Sequence, residues 1–320
     1  MDNVKNKENM TYAPIALFTY NRADHTKKAV ESLLQNAEAK DSELFVFSDG
    51  AKNEKAVDGV KKNRKYIHEV KKLEGIAFKN VTIIEREKNW GLAKSLIAGI
   101  TELTDKYGRV IVVEDDLILS PYFLQFMNNA LDKYEGDDRV GAVSAYLNPI
   151  DTKAPETFFL RYFACWGWAV WKRSWDVLNT DARDLLRQLR WKKRDFDIDN
   201  SGPFYGLLYC QKLGLVDSWA VLFYASLFLK NKLVLYPGIS CTQIGGVDGS
   251  GTHSGNNQDM FNVTMSNRSI CLDDIPVMED RVMYDAFARF NSKWLHQPVM
   301  RKQFELFKSF VRRVIGLDYK

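Results

Sequence analysis

Three consecutive acids, Glu114-Asp115-Asp116, crowd negative charge that repels itself unless a cation sits nearby. Carboxylate oxygens suit a hard divalent ion such as Mn²⁺ or Mg²⁺, with a phosphate completing its shell. A solvated acidic turn capping the next helix is the alternative reading. A second carboxylate, Asp217, lies between Val216 and Ser218-Trp219 and ahead of an apolar helix over Val221–Leu229. Beside an indole, in a partly dry site, such a group becomes a better base; as a helix N-cap it would be structural. Arg22, Asp49 and Asn89 add a cation, an anion and an amide, a set that suits a nucleotide diphosphate held with a metal.

These residues need a scaffold that brings them together. Val110–Val113 is a run of β-branched residues and predicts a strand buried on both faces. Ser120-Pro121 predicts the start of the following helix. Upstream, strands are expected at Ile15–Phe18, Leu44–Phe47 and Val81–Ile84, and downstream at Val140–Ala145. Helices fall between them, with Asp24 capping the first and Trp90-Gly91 opening the third. A strand about every 30 residues is the spacing of repeated βαβ units. Right-handed crossovers then make the sheet parallel and layered by helices. Arg22, Asp49, Asn89 and Asp116 all follow strand ends, so they share one rim, where open α/β sheets hold ligands. Neither GxGxxG nor GxxxxGK[ST] occurs, which disfavours a Rossmann dehydrogenase and a P-loop NTPase.

The 320-residue chain has a net charge of +4, too weak a bias to indicate nucleic acid. Its first residues are polar and read as a disordered N-terminus over 1–12, with no signal or anchor character. The longest apolar runs are about half a membrane span. Cys165, Cys210, Cys241 and Cys271 are far apart and read as free thiols of a reducing cytoplasm.

The α/β half over 13–150 is followed by a less regular half over 151–278. Phe158–Trp175 is rich in aromatics and reads mainly as core beneath the sheet. In Trp166-Gly167-Trp168 the glycine bends the chain, and Trp168 is a candidate platform for a sugar's apolar face. Trp191–Asn200 is charged and reads as a mobile loop. Pro237–Asn257 is glycine-rich and reads as a lid over a bound donor; His253 within it could reach a diphosphate or metal, or simply be solvated. From Glu279 to the end, residues 279–320 read as an amphipathic helical extension. Its basic terminus suits an anionic membrane surface, the catalytic domain or a second subunit.

The ordered set Tyr20-Asn21-Arg22, Ser48-Asp49-Gly50, Asn89-Trp90-Gly91-Leu92 with Lys94, Glu114-Asp115-Asp116, Val143-Ser144-Ala145, Trp166-Gly167-Trp168 and Asp217-Ser218-Trp219 resembles nucleotide-sugar glycosyltransferases of the GT-A fold. More narrowly, it is similar to N-acetylglucosaminyltransferase I and related bacterial polysaccharide glycosyltransferases, over roughly residues 13 to 260. The resemblance implies a Rossmann-like, mostly parallel sheet and a Mn²⁺-dependent (or Mg²⁺-dependent) inverting transfer from a UDP-sugar, UDP-GlcNAc or UDP-hexose, to a saccharide or lipid-linked glycan in surface polysaccharide synthesis.

By the same resemblance Asp116 holds the metal, Asp115 lies near the ribose, Glu114 near the donor sugar, and Asp49 at the uracil. Tyr20, Arg22, Asn89 and Lys94 belong to the nucleotide side, Asp217 is the base, and Trp219 and His253 flank the acceptor or lid. Location in the cytoplasm, at the inner face of the plasma membrane if the terminal helix binds lipid, goes with that reading. The rivals are a sugar-nucleotide pyrophosphorylase and an inactive glycan-binding scaffold. The first usually carries a glycine-rich loop near its N-terminus, which Tyr20-Asn21-Arg22 is not.

Overall fold

The computed structural model describes residues 12–245 and 261–294. The expected disordered N-terminus, the lid with His253 and the basic terminal stretch beyond 294 lie wholly or largely outside them.

The first half alternates as the spacing demands: β1 (Ile15–Thr19), α1 (Ala23–Leu33), β2 (Glu43–Ser48), α2 (Glu54–Lys71), β3 (Asn80–Glu85), α3 (Leu92–Tyr107) and β4 (Arg109–Glu114). There follow β5 (Leu117–Leu119), α4 (Phe123–Lys133), β6 (Val140–Ser144), β7 (Thr157–Leu160) and β8 (Trp168–Trp171). Four helices come next: α5 (Lys172–Trp175), α6 (Ala182–Leu189), α7 (Lys193–Phe196) and α8 (Phe204–Lys212). The described chain ends with α9 (Trp219–Leu229), β9 (Leu233–Pro237), β10 (Thr242–Ile244) and α10 (Arg281–Trp294).

Eight strands form one sheet in the order β3-β2-β1-β4-β8-β6-β9-β7. Neighbours among β1 to β4 are parallel, and β9 is parallel to β6. Because β8 pairs antiparallel with both β4 and β6, those two run the same way; β7 is antiparallel to β9. The sheet is therefore α/β and mostly parallel, with six strands ending on one rim.

Side chains alternate between two cores, as the pleat requires. Ala16, Phe18, Phe45, Phe47, Val110, Val112, Trp168 and Val170 face α3 and α9. Ile15, Leu17, Leu44, Val46, Ile111, Val113, Ala169 and Trp171 face α1, α2 and α4. Three layers result, with every residue of Val110–Val113 fully buried.

Several local expectations are corrected. Phe158–Trp175 is mainly core, as expected, with Phe158, Phe159, Phe163, Trp168, Trp171 and Trp175 buried, but it also supplies β7 and β8, the two reversed strands. Bulky residues alternate to both faces of β8, so a run read as core is itself a strand. Arg22, not Asp24, is the N-cap residue of α1, and Asp24 lies in the first turn. α4 starts after Tyr122, because Ser120 Oγ takes the Tyr122 amide (3.1 Å) and donates to the Ser266 carbonyl (2.7 Å). Between the acids and that helix lies β5, paired antiparallel with β10.

The 191–200 segment is not an irregular loop either. It contains α7 and three consecutive left-handed residues, Ile198, Asp199 and Asn200 (φ 49, 55 and 60°). Ile198 and Asp197 are buried, and the Asp197 side chain accepts from the Tyr205 amide at 2.7 Å. That packing holds a backbone shape which β-branched residues rarely adopt.

Candidate active site

The carboxyl end of β4 delivers the three acids into unequal surroundings. Asp115 is the most enclosed, its side chain 6% exposed against 26% for Asp116. The Asp115 amide donates to the Phe18 carbonyl (3.0 Å), and its carboxylate accepts from the Tyr20 amide (3.2 Å) and Arg22 Nη2 (2.5 Å). Asp115 thus braces the end of β4 against the end of β1, leaving little of its carboxylate for a ribose. Arg22 Nη2 also reaches Asp116 Oδ2 at 3.2 Å, while the Asp116 carbonyl accepts from the Gly245 amide at 2.6 Å. The backbone of Asp116 is fixed and part of its carboxylate stays open.

Electrostatics follow from that crowding. Glu114 retains some exposed area, yet protein atoms surround its carboxyl, and burial, then Asp116, then Asp115 push it up to about 8. Burial raises Asp115 too, against the pull of Arg22. For the Arg22 guanidinium burial works the other way, but the two aspartates outweigh it and hold it charged. Its Nη1 is buried with no partner among the described residues. A guanidinium N–H left unpaired is costly, and an incoming phosphate oxygen would satisfy it.

The loop after β3 is organised by Asp49. This residue is 7% exposed, and its carboxylate accepts from the amides of Gly50 (2.9 Å), Trp90 (2.8 Å) and Gly91 (2.9 Å) and from Asn89 Nδ2 (3.0 Å). Asn89 also donates to the Gly50 carbonyl at 2.8 Å. Both residues staple the entrance to α3, where a carboxylate complements the free amides of the first turn. A Cβ on Gly50 would stand 2.5 Å from the Lys88 backbone, so the close approach of the two loops requires glycine. Trp90 carries Arg86 at 4.0 Å and the exposed Lys94 at 4.7 Å from its ring. Tyr20 is half-buried, and its hydroxyl accepts from the Lys52 amide at 3.0 Å.

Asp217 comes from the second half of the chain. It is exposed, not enclosed beside the indole as the sequence suggested. Ser218 is the N-cap of α9, its Oγ accepting from the Val221 amide, so Asp217 is free of capping. Its Oδ2 lies 4.0 Å from where a Cβ would stand on Gly91, a residue with φ 77°. Asp217 therefore faces the loop that Asp49 organises. The tie to the sheet is Trp219, which stacks on Trp168 at 5.3 Å between centroids and 19° between planes. Trp168 pairs with Val112, two residues before Glu114, so this stack holds the start of α9 at the rim that bears the acids.

Two expectations fall with that observation. Trp168 is fully buried and Trp219 is 4% exposed; both serve the core, and neither offers an indole face to a sugar. Trp166 is the partly exposed indole of the motif, because Gly167, at φ 77°, reverses the side on which its neighbours project. Cys165 was not singled out from the sequence. Burial first, then the charges of Glu114 and Asp116, raise its thiol above the ordinary range, so it lies within electrostatic reach of the triplet. Cys165 lies in the turn just before β8, and nothing local in the sequence marks the reversal of that strand. His253 lies outside the described residues.

Among the described residues no group of three or more His, Cys, Asp or Glu side chains is arranged to hold a metal. The chain alone can supply one or two hard oxygens, from Asp116 with Glu114 beside it, and a diphosphate and water must supply the rest. That is the usual way Mg²⁺-type ions are held next to substrate phosphates. The oxygen-only donor set and the unpaired Arg22 N–H both fit such a pair of ligands.

Comparison with known proteins adds the following. No curated protein matches the chain in a sequence search. Solved structures to which it is similar include the mannosyltransferase PcManGT from Pyrobaculum calidifontis in complex with GDP-Man and Mn²⁺ (18% identity, TM-score 0.36, covering 53% of this chain and 47% of that one). TarS of S. aureus is another (12% identity, TM-score 0.40, covering 70% and 36%). The chain thus spans less than half the length of either structure. A family model described as the GNT-I family matches residues 1–182, which takes in β1 to β8, the acidic triplet and the Trp166-Gly167-Trp168 turn. With more than half of its length matched, this chain belongs to the GNT-I family.

Proposed function

We propose that the protein is a metal-dependent inverting glycosyltransferase that moves a sugar from a UDP-sugar, UDP-GlcNAc or UDP-hexose, to a saccharide acceptor in surface polysaccharide synthesis. One observation carries the reading. A partly open acid (Asp116), a second acid beside it (Glu114) and a half-buried cation with an unpaired N–H (Arg22) meet where β4 ends beside β1. Together they make adjoining places for a divalent cation and a diphosphate.

In this reading Asp116 holds the ion with Glu114 beside it, and Asp115 keeps Arg22 in place. A bound divalent ion would neutralise the charge that the nucleoside diphosphate gains as it leaves. Arg22 adds hydrogen bonds to that departing anion. Asp49, through the Asn89–Gly91 loop, shapes the wall toward the base. Asp217 takes the proton of the acceptor hydroxyl while its oxygen bonds to the anomeric carbon, and the bond to the diphosphate breaks on the opposite face. Configuration at that carbon inverts.

Screening nucleotide sugars for release of nucleoside diphosphate in Mn²⁺ tests the proposal. At least one UDP-sugar should be turned over, and chelation with EDTA should stop it. Absence of turnover with every UDP-sugar, or turnover indifferent to EDTA, contradicts the reading.

A further inference from the structure

Trp191 is 85% exposed, more than any other large apolar side chain among the described residues. Its neighbours hold it there. Leu189 and Phe196, on either side, are fully buried. The Lys192 amide donates to the Leu189 carbonyl (2.8 Å), and the Phe196 amide to the Lys192 carbonyl (2.9 Å). Phe196 stacks on Tyr224 of α9 at 4.6 Å between centroids, and the Tyr224 hydroxyl donates to the Phe196 carbonyl (2.7 Å). The turn between α6 and α7 is thus pinned at both ends, with an indole at its tip. A ring held out by a fixed turn has little freedom left to lose on binding.

The surroundings of that ring are basic. Six Lys and Arg residues lie between Arg183 and Arg194 against one acid, Asp184. Arg183, Arg187 and Arg190 recur at helical spacing and share an exposed side of α6. Arg190 lies over the Trp191 ring at 5.2 Å. Arg187 turns toward Asp184, and Lys193 and Arg194 turn toward Asp197 and Asp199, each at 3.1 Å. Arg183, Arg190 and Lys192 are exposed and make no ion pair among the described residues. The surface continues onto α8, which packs beside α6. Lys193 Nζ stands 5.9 Å from the Tyr205 ring, and Lys212 Nζ 5.2 Å from the ring of Tyr209. Tyr205 and Tyr209 are one helical turn apart and share a side of α8; Tyr209 is 41% exposed.

Indole and phenol rings, apolar in body and polar at the edge, suit the boundary between lipid headgroups and acyl chains. Unpaired Arg and Lys beside them complement anionic headgroups. A fluid headgroup layer also accepts a single protruding ring among flexible cations, where a protein partner would need a matching surface of about 800 Å². We infer that the α6–α7 turn and the adjoining side of α8 form a docking surface for an anionic lipid bilayer, with Trp191 entering the headgroup layer and Arg190 and Lys192 on lipid phosphates. The inference does not rest on the glycosyltransferase reading. Its consequence for the site runs through Gln211 of α8, whose side-chain carbonyl accepts from the Ser218 amide at 2.7 Å. A docked α8 would fix the height of the Asp217 loop above the bilayer.

Cosedimentation of the full chain with vesicles tests this, using phosphatidylcholine alone and phosphatidylcholine with phosphatidylglycerol at about 2:1. The wild type should bind the anionic vesicles and release them as salt is raised. Arg190→Gln/Lys192→Gln should weaken binding by roughly tenfold or more, and Trp191→Ala by roughly fivefold or more. All three side chains are exposed, so both variants should unfold in urea at the wild-type midpoint. A wild type that ignores the vesicles, or binds neutral ones equally well, overturns the inference. So does either variant binding as the wild type does, since attachment would then lie elsewhere in the chain. Tighter binding of an oligothymidylate than of vesicles, lost in the same variants, would assign the surface to nucleic acid and overturn it as well.

Discussion

At the scale of single residues, the three neighbouring acids have different fates. Asp115 is a brace: its carboxylate has partners on both oxygens, and removing it leaves the half-buried Arg22 with less to pair with. Asp115→Ala should therefore destabilise the fold by about 3–5 kcal/mol, the usual cost of breaking a buried ion pair by losing one member. Asp116 is partly open and its backbone is held by Gly245, so Asp116→Ala should cost less than about 1 kcal/mol, as for an exposed pair. Urea unfolding of the two variants decides this; equal losses would mean that Asp116 is as structural as its neighbour. Asp49 is a brace of a second kind. Asp49→Ala frees three amides and Asn89 at the entrance to α3, and should cost about 1–2 kcal/mol, as for the loss of a strong helix cap. Protection of the Trp90 and Gly91 amides from hydrogen exchange should fall with it.

At the scale of elements, the parallel half was legible because a single period governs it. Each strand is apolar on both faces, each helix carries one apolar stripe, and the acids follow the most β-branched strand. The second half has no such period. β8 enters the sheet between β4 and β6, reversed, and its partners Val112 and Ser144 are far away in sequence. An indole in such a strand looks the same in sequence whether it faces a core or a ligand, so Trp168 was read as a sugar platform when it is the stacking partner of Trp219. Asp49 was visible as a rim acid. Its grip on Asn89–Gly91, some 40 residues on, was not, since it depends on how closely β2 and β3 bring their loops together.

One element-level contact also titrates. Arg268's hydrogen bonds, opposed by partial burial and helped by the Cys271 amide, hold the Glu156 carboxyl below its usual range. A depressed folded value means that the contribution is present above the unfolded value near 4.5 and is lost as pH falls through the folded one. Glu156→Gln should accordingly lower Tm more at pH 7 than at pH 3.5. A drop of the same size at both pH values would show that the pair between the 147–156 and 262–268 segments contributes no charge-dependent stability.

At the scale of the molecule, two halves of different regularity converge on one rim. The first half sets out Arg22, Asp49 and the acids; the second brings Asp217 against Gly91 by stacking Trp219 on Trp168. In the proposed reaction these carboxylates have separable tasks. Asp217→Asn should leave UDP affinity unchanged and lower turnover by roughly 10²-fold or more, the usual worth of a general base. A rate close to wild type would remove Asp217 from the chemistry and leave it as a loop residue beside α3.

The most direct measurement is calorimetric titration of UDP into wild type and Asp116→Ala, each with Mn²⁺ and with EDTA. The expected result is binding by wild type in Mn²⁺ alone, with no Mn²⁺-dependent affinity left in the variant. UDP binding of equal strength in EDTA, or an Asp116→Ala protein that still gains affinity from Mn²⁺, would contradict the assignment of the β4 acids to a cation that holds the nucleotide.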